Sequence, residues 1–71
     1  MEDKFTINFR EALKYSQISQ SSLAQKVGVS KQSISDFKNG RSFPSIQTLS
    51  LICQVLDVSA DYLLGIDNKN I

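Results

Sequence analysis

The chain has 71 residues, of which 41% are hydrophobic and 21% charged, and a formal net charge of +1 at pH 7. This length fits one small domain that buries about 60% of the surface its unfolded chain would expose. The sequence contains no histidine and a single cysteine, Cys53. That composition excludes histidine-based catalytic or metal sites, an internal disulfide and any Cys-x-x-Cys motif, and it fits a reducing, intracellular setting.

The N-terminal segment and the hydropathy pattern give no sign of export or membrane insertion. The first residues, MEDKFT, carry acids where a signal peptide carries bases. No apolar run approaches the roughly 18 residues that span a bilayer. The sequence therefore predicts a soluble protein.

The charge is unevenly distributed along the chain. Residues 12–41 carry five cations and one carboxylate, whereas residues 1–11 have a net charge of −1 and residues 42–71 a net charge of −2. A basic segment between acidic flanks favours a surface that faces a polyanion, although a solvated lysine-bearing face is the alternative.

Helix-capping residues recur along the sequence. The first predicted helix covers residues 7–17, where Phe9, Ala12 and Leu13 have helical spacing. Four further helices each follow a serine that can cap an N-terminus, and three of these helices end at a glycine. The serines are Ser19, Ser30, Ser45 and Ser59, and the glycines are Gly28, Gly40 and Gly65.

These elements predict an all-α domain over residues 1–66, followed by a flexible tail or the start of a linker at residues 67–71. The fourth helix is expected to bury one apolar face, and Tyr15 and Tyr62 are expected to pack against the domain. The members of that face are Ile46, Leu49, Ile52, Cys53 and Leu56. Cys53 is then a small core residue rather than a redox sensor.

The third predicted helix, residues 31–39, has two different faces. At about 100° per residue, Ile34 and Phe37 point in one direction, toward the core. The opposite face has few of the long Glu/Lys pairs that usually solvate a surface helix. Its members are Lys31, Gln32, Ser35, Asp36 and Asn39. These residue types suit contacts with base edges, and a merely solvated face is the alternative.

Residues 20–39 have the spacing of two short helices joined by a tight glycine turn, which is a helix-turn-helix unit. Ala24 is small where the two helices cross, and Gly28 can adopt a left-handed backbone conformation that other residues resist. Val29 and Ile34 are expected to fix the crossing angle.

Over residues 7–65 the chain resembles the DNA-binding domain of phage repressors and Cro proteins, the XRE-type family. The resemblance rests on the segments SLAQKVGVSKQSISDFKNG and FPSIQTLSLICQVLDVSADYLLG. Its most specific marks are the spacing of Ala24, Gly28 and Ile34, the Asn39–Gly40 exit, and Val58–Ser59 followed by Asp61–Tyr62–Leu63–Leu64. It implies a compact, five-helix, lambda-repressor-like domain whose third helix lies in the major groove of DNA.

The resemblance also implies which residues meet DNA. Those expected to contact base edges are Lys31, Gln32, Ser35 and Asp36, and those expected to contact the DNA backbone are Gln20, Asn39 and Arg41. Gln can pair with adenine, Lys with guanine and Asp with cytosine. Phosphates repel the carboxylate of Asp36, which could instead cap a helix or pair with a lysine.

One pair of positions departs from the family pattern. Many members pair an arginine in the first helix with a glutamate near the end of the third, where this chain has Leu13 and Lys38. Both members of that pair are absent together, so neither is left without the other. Leu13 is expected to enlarge the core, and Lys38 is expected to approach the DNA backbone.

The resemblance implies a sequence-specific regulator of transcription, most simply a repressor that binds an inverted repeat of double-stranded DNA as a homodimer. Leu51, Val55 and Ile66 form a possible dimer surface, although single exposed apolar residues are common. A bacterial or phage-encoded protein located in the cytoplasm at the nucleoid is expected, with no cofactor, metal or membrane partner.

Two rival functions belong to other classes. A helical protein-interaction module or antitoxin-like partner would use the same scaffold and bind a protein through the side of Leu51. An enzyme is disfavoured, because the sequence has no histidine, no metal-ligand cluster and no phosphate-binding glycine loop.

Overall fold

The computed structural model describes residues 2–66, and over that range it consists of helices without strands. In chain order the helices are α1 (Lys4–Ser16), α2 (Gln20–Val27), α3 (Lys31–Asn39), α4 (Ile46–Leu56) and α5 (Ala60–Leu64). The predicted all-α, five-helix fold is confirmed. None of these helices is long and apolar enough to cross a membrane. The tail predicted at residues 67–71 lies outside the described residues.

Every one of the described helices begins with a side-chain cap that accepts the backbone N–H three residues later. The predicted serine caps of α2 to α5 are confirmed. The predicted start of α1 at Ile7 is wrong, since α1 begins at Lys4. The reason is the cap formed by Asp3, whose carboxylate accepts both the backbone N–H and the hydroxyl of Thr6 at 2.9 Å.

The helices also share one way of ending, a residue with positive φ at the C-cap. The predicted stops at Gly28, Gly40 and Gly65 are confirmed, with φ between 71° and 76°. Helices α1 and α4 end instead at Gln17 and Asp57, which take φ values of 59° and 56°. Each of these residues uses its backbone N–H to satisfy a carbonyl of the last helical turn.

All the described helices meet at one hydrophobic core. Each contributes one apolar side chain that is fully buried, and these are Phe9, Leu23, Ile34, Ile52 and Leu63. The ring of Phe9 stacks on Phe5 at 5.5 Å and meets Phe37 edge-on at 6.2 Å, which ties α1 to α3. Leu13 is buried as predicted, with 7% of its surface exposed. Because the same core holds every helix, the position of α3 depends on all the others.

Two predictions of burial are wrong. Ile46 is 85% exposed and Tyr15 is 80% exposed. Ile46 is the first residue of α4 and lies at the rim of an open surface groove, beside Cys53 and Val58, so the neighbouring helices do not cover it. Helical spacing predicts the direction of a side chain but not where the neighbouring helix ends.

Cys53 packs against the hydrophobic core, as predicted. Burial raises the pKa of its thiol above the ordinary value. The thiol therefore stays protonated near neutral pH, in the form that is a poor nucleophile.

Two isoleucines of α4 give a matched test of the core. Ile52→Ala should lower the free energy of unfolding by about 2–5 kcal/mol, because it leaves a cavity at a fully buried position. Ile46→Ala should change it by no more than about 0.5 kcal/mol, because this side chain stays largely in water. Urea unfolding followed by circular dichroism measures both values. Equal losses of unfolding free energy in the two variants would contradict the burial of Ile52 and the exposure of Ile46.

The cap of α1 gives a test by pH. Hydrogen bonds from Thr6, above all that of its backbone N–H, hold the pKa of Asp3 below its ordinary value. A carboxyl group whose pKa is lower in the folded state stabilises the fold at pH values above its unfolded-state pKa. This stabilisation is lost as the pH falls through the folded-state pKa. In Asp3→Asn the side chain still caps the helix but does not titrate.

The melting temperature of Asp3→Asn should therefore fall less than that of the original protein between about pH 5 and about pH 2. Thermal unfolding at both pH values provides the comparison. The same fall in both proteins would mean that folding does not lower the pKa of Asp3.

Candidate nucleic-acid interface

The α2–turn–α3 unit forms the framework of the candidate interface. Helix α3 packs on both α1 and α2, and it buries Ile34 and Phe37, as predicted. The turn is fixed at Gly28, whose φ of 76° favours glycine, and the N–H groups of Gly28 and Val29 both donate to the carbonyl of Ala24. The angle between the helices is therefore set by backbone hydrogen bonds and by the core together.

The solvent side of α3 carries the polar side chains that were predicted there. Lys31, Gln32 and Asn39 are exposed, whereas Ser35 and Asp36 are half-buried at the edges of the strip. We call these residues the α3 strip: Lys31, Gln32, Ser35, Asp36 and Asn39. Since only Ile34 and Phe37 of α3 are buried, changes in the strip need not disturb the core.

Asp36 links two of the predicted DNA contacts. Its Oδ1 accepts from Gln32 Nε2 at 3.0 Å and lies 3.6 Å from Arg41 Nη1. The charged partner of Asp36 in the structure is thus Arg41 rather than a lysine. With the Asp36 and Arg41 side chains 28% and 66% exposed, this ion pair is weak and can exchange for contacts with a ligand.

Asn39 is bonded within its own helix. Its Nδ2 donates to the backbone carbonyl of Ser35 at 2.8 Å and lies 3.4 Å from the Ser35 hydroxyl. One Nδ2 hydrogen of Asn39 is thereby used within α3, so a contact with the DNA backbone uses the second hydrogen or replaces this bond.

Lys38 connects the end of α3 with the start of α2. Its Nζ donates to Gln20 Oε1 at 2.7 Å. Its backbone carbonyl accepts from Arg10 Nη1 at 2.8 Å. Both Lys38 and Gln20 are half-buried. The structure thus brings together two residues that the sequence assigned separately to the DNA backbone.

Arg10 also supports the candidate interface, a role that the sequence does not predict. Besides holding the carbonyl of Lys38, its guanidinium forms an ion pair with Glu2. The hydrogen bond between the Arg10 guanidinium and the Glu2 carboxylate lowers the pKa of Glu2 and raises the pKa of Arg10. No sequence pattern signals the contact, because the two residues are eight positions apart and Glu2 precedes the helix.

The arginine of α1 therefore joins α1 to α3 by a route that the family pattern does not predict. In place of a side-chain pair between the positions of Leu13 and Lys38, Arg10 binds a backbone carbonyl. Arg10, Lys14 and Lys38 line a groove beside Ser19 and Gln20 at the N-terminus of α2. Cations next to a helix N-terminus favour an anion in such a groove.

The possible dimer surface is only partly exposed. Leu51 is 40% exposed and Ile66 is 51% exposed, whereas Val55 is half-buried and packs against the core. Val55 therefore belongs as much to the core as to the surface.

Comparison with known proteins places this arrangement in a family. The helix-turn-helix family matches residues 8–63 of the chain. Two proteins of Bacillus subtilis strain 168, both named as uncharacterized HTH-type transcriptional regulators, are similar to it. YqaE is 32% identical over 94% of this chain and 59% of its own length, and YobD is 30% identical over 80% of this chain and 51% of its own length. The chain thus spans somewhat more than half of these relatives.

Proposed function

This chain belongs to the helix-turn-helix family, and we propose that it is a sequence-specific, double-stranded DNA-binding regulator of transcription. The observation that carries the proposal is the α3 strip, which presents hydrogen-bonding side chains to solvent on a helix fixed by the core. The names of YqaE and YobD as transcriptional regulators support it. The action is non-covalent, by occupation of a DNA site.

In the proposed complex α3 lies in the major groove. Lys31, Gln32, Ser35 and Asp36 face base edges, where Lys donates to guanine, Gln pairs with adenine and Asp accepts from cytosine. The neighbouring guanidinium of Arg41 offsets part of the repulsion between Asp36 and the phosphates. The bond from Gln32 to Asp36 orients the Gln32 amide before DNA arrives, which reduces the entropy lost on binding.

The contacts with the DNA backbone come from both ends of the unit. Gln20 lies at the N-terminus of α2, where backbone N–H groups favour phosphate. Asn39 and Arg41 lie at the exit of α3, and Lys38, in the last turn of the same helix, is the fourth member of this group. Such contacts fix the register of the protein on the duplex, while the base contacts supply sequence preference.

We further propose a homodimeric repressor in the bacterial cytoplasm, encoded by a bacterium or a phage. One α3 reads only a few base pairs, so two half-sites about one helical turn apart would supply the remaining specificity. The surface around Leu51 and Ile66, with Val55 at its edge, is the proposed dimer contact. Repression would follow from steric occupation of a promoter.

Gln32→Ala tests base reading. On an operator selected from a random duplex pool, this change should cost on the order of 1–3 kcal/mol and relax specificity at one position. Gln47→Ala, at an exposed position of α4, is the matched control and should bind as the original does. Fluorescence anisotropy measures both. Equal affinities in all three proteins would contradict the proposed docking, and a selection that yields no site would favour the protein-interaction alternative through Leu51.

Arg41→Ala tests the backbone contact. The change should weaken binding to every duplex by a similar factor and make the slope of log K against log salt shallower by about 0.9. Lys26→Ala is the matched control. It removes one positive charge from the C-terminal end of α2, whereas Gln20 lies at the N-terminal end. The salt slope of this variant should stay close to that of the original. Titrations at several salt concentrations decide between them. An unchanged slope in Arg41→Ala would remove Arg41 from the backbone contacts.

A further inference from the structure

We propose that Lys38 is a positioning residue, which turns the amide of Gln20 so that its Nε2 group faces a DNA phosphate. The inference rests on the proposed function, because it concerns how the same interface holds the DNA backbone. The observation behind it is the hydrogen bond of 2.7 Å from Lys38 Nζ to Gln20 Oε1.

The chemistry of the two side chains makes this bond directional. A glutamine amide has an acceptor end, Oε1, and a donor end, Nε2, whereas a phosphate oxygen is only an acceptor. An amide that points Oε1 at phosphate is therefore repelled, and one that points Nε2 at phosphate binds. Lysine has donors and no acceptor, so Lys38 can hold only the Oε1 end of Gln20. The Nε2 end is left for the phosphate.

Lys38 is itself held in place. Arg10 donates to its backbone carbonyl at 2.8 Å, and Glu2 pairs with the same guanidinium. Gln20 is fixed at the first position of α2, directly after the Ser19 cap. The bond therefore joins two anchored backbones, and the amide of Gln20 is oriented before DNA binds.

The sequence alone predicts that Lys38 contacts the DNA backbone directly. A direct contact and a positioning role differ in a measurable way. A direct contact acts independently of Gln20. A positioning residue acts only while Gln20 is present, because its effect passes through the amide. A double-mutant cycle separates these cases.

The cycle uses Lys38→Met, Gln20→Ala and the double variant with the selected operator duplex. Lys38→Met should weaken binding roughly tenfold when Gln20 is present, the scale of a lost charge-assisted hydrogen bond. In the Gln20→Ala background the same change should cost less than about twofold. Equal losses in both backgrounds would overturn the proposal and make Lys38 an independent contact.

Two further variants make the cycle specific. Arg41→Met removes a proposed backbone contact that has no bond to Gln20 among the described residues, and it should cost the same factor in both backgrounds. Lys38→Arg keeps a donor that can reach Oε1 and should restore most of the affinity lost in Lys38→Met. Failure of Lys38→Arg to bind better than Lys38→Met would also count against the positioning role.

A measurement without DNA keeps this proposal distinct from the proposed function. In the free protein, Lys38→Met should shift the side-chain amide resonances of Gln20 in a ¹H–¹⁵N spectrum while the melting transition is retained. Unchanged amide resonances of Gln20 would mean that the Lys38–Gln20 bond does not form, and would overturn the proposal. If the original protein selects no duplex, the proposed function fails, and the positioning role in DNA binding fails with it even where the resonances move.

Discussion

The structure depends on one hydrophobic core, to which all of the described helices contribute. Helices of 5 to 13 residues are too short to be stable in isolation. Each of the described helices adds one fully buried apolar side chain to the same core. Caps at both ends satisfy the backbone groups that such short helices leave unpaired. The orientation of α3 is therefore a property of the whole domain, and only two of its nine residues are buried to secure it.

Because only two residues of α3 are buried, the rest of the helix is available for recognition. Its solvent side is organised before any ligand arrives: Asp36 binds Gln32 and Arg41, and Lys38 binds Gln20. The exposed ion pair between Asp36 and Arg41 contributes little to stability and exchanges readily for other contacts. The hydrogen bonds to the amides of Gln32 and Gln20 contribute order instead, because an amide whose orientation is already set loses less entropy on binding. The same core thus supports both the fold and the proposed reading of DNA.

Local patterns predicted much of this structure, since the physics behind them is local. A serine cap needs only a hydroxyl and a nearby N–H, so the starts of α2 to α5 follow from the sequence, as does the inward face of α3. The true start of α1 depends on the cap formed by Asp3, which the helical spacing of the apolar residues does not reveal. The exposure of Ile46 and the bond from Arg10 to Lys38 depend on where helices lie in space. Spacing along one helix carries no such information.

The α3 strip, held by the shared core, is the surface that we propose to meet DNA. The most direct measurement is a titration of ¹⁵N-labelled protein with a selected duplex, followed by backbone amide chemical shifts. The largest changes should fall at the start of α2 and along α3 to Arg41, with small changes in α4. Large changes confined to α4 and the region around Leu51, with α3 unaffected, would contradict the proposed DNA-binding surface.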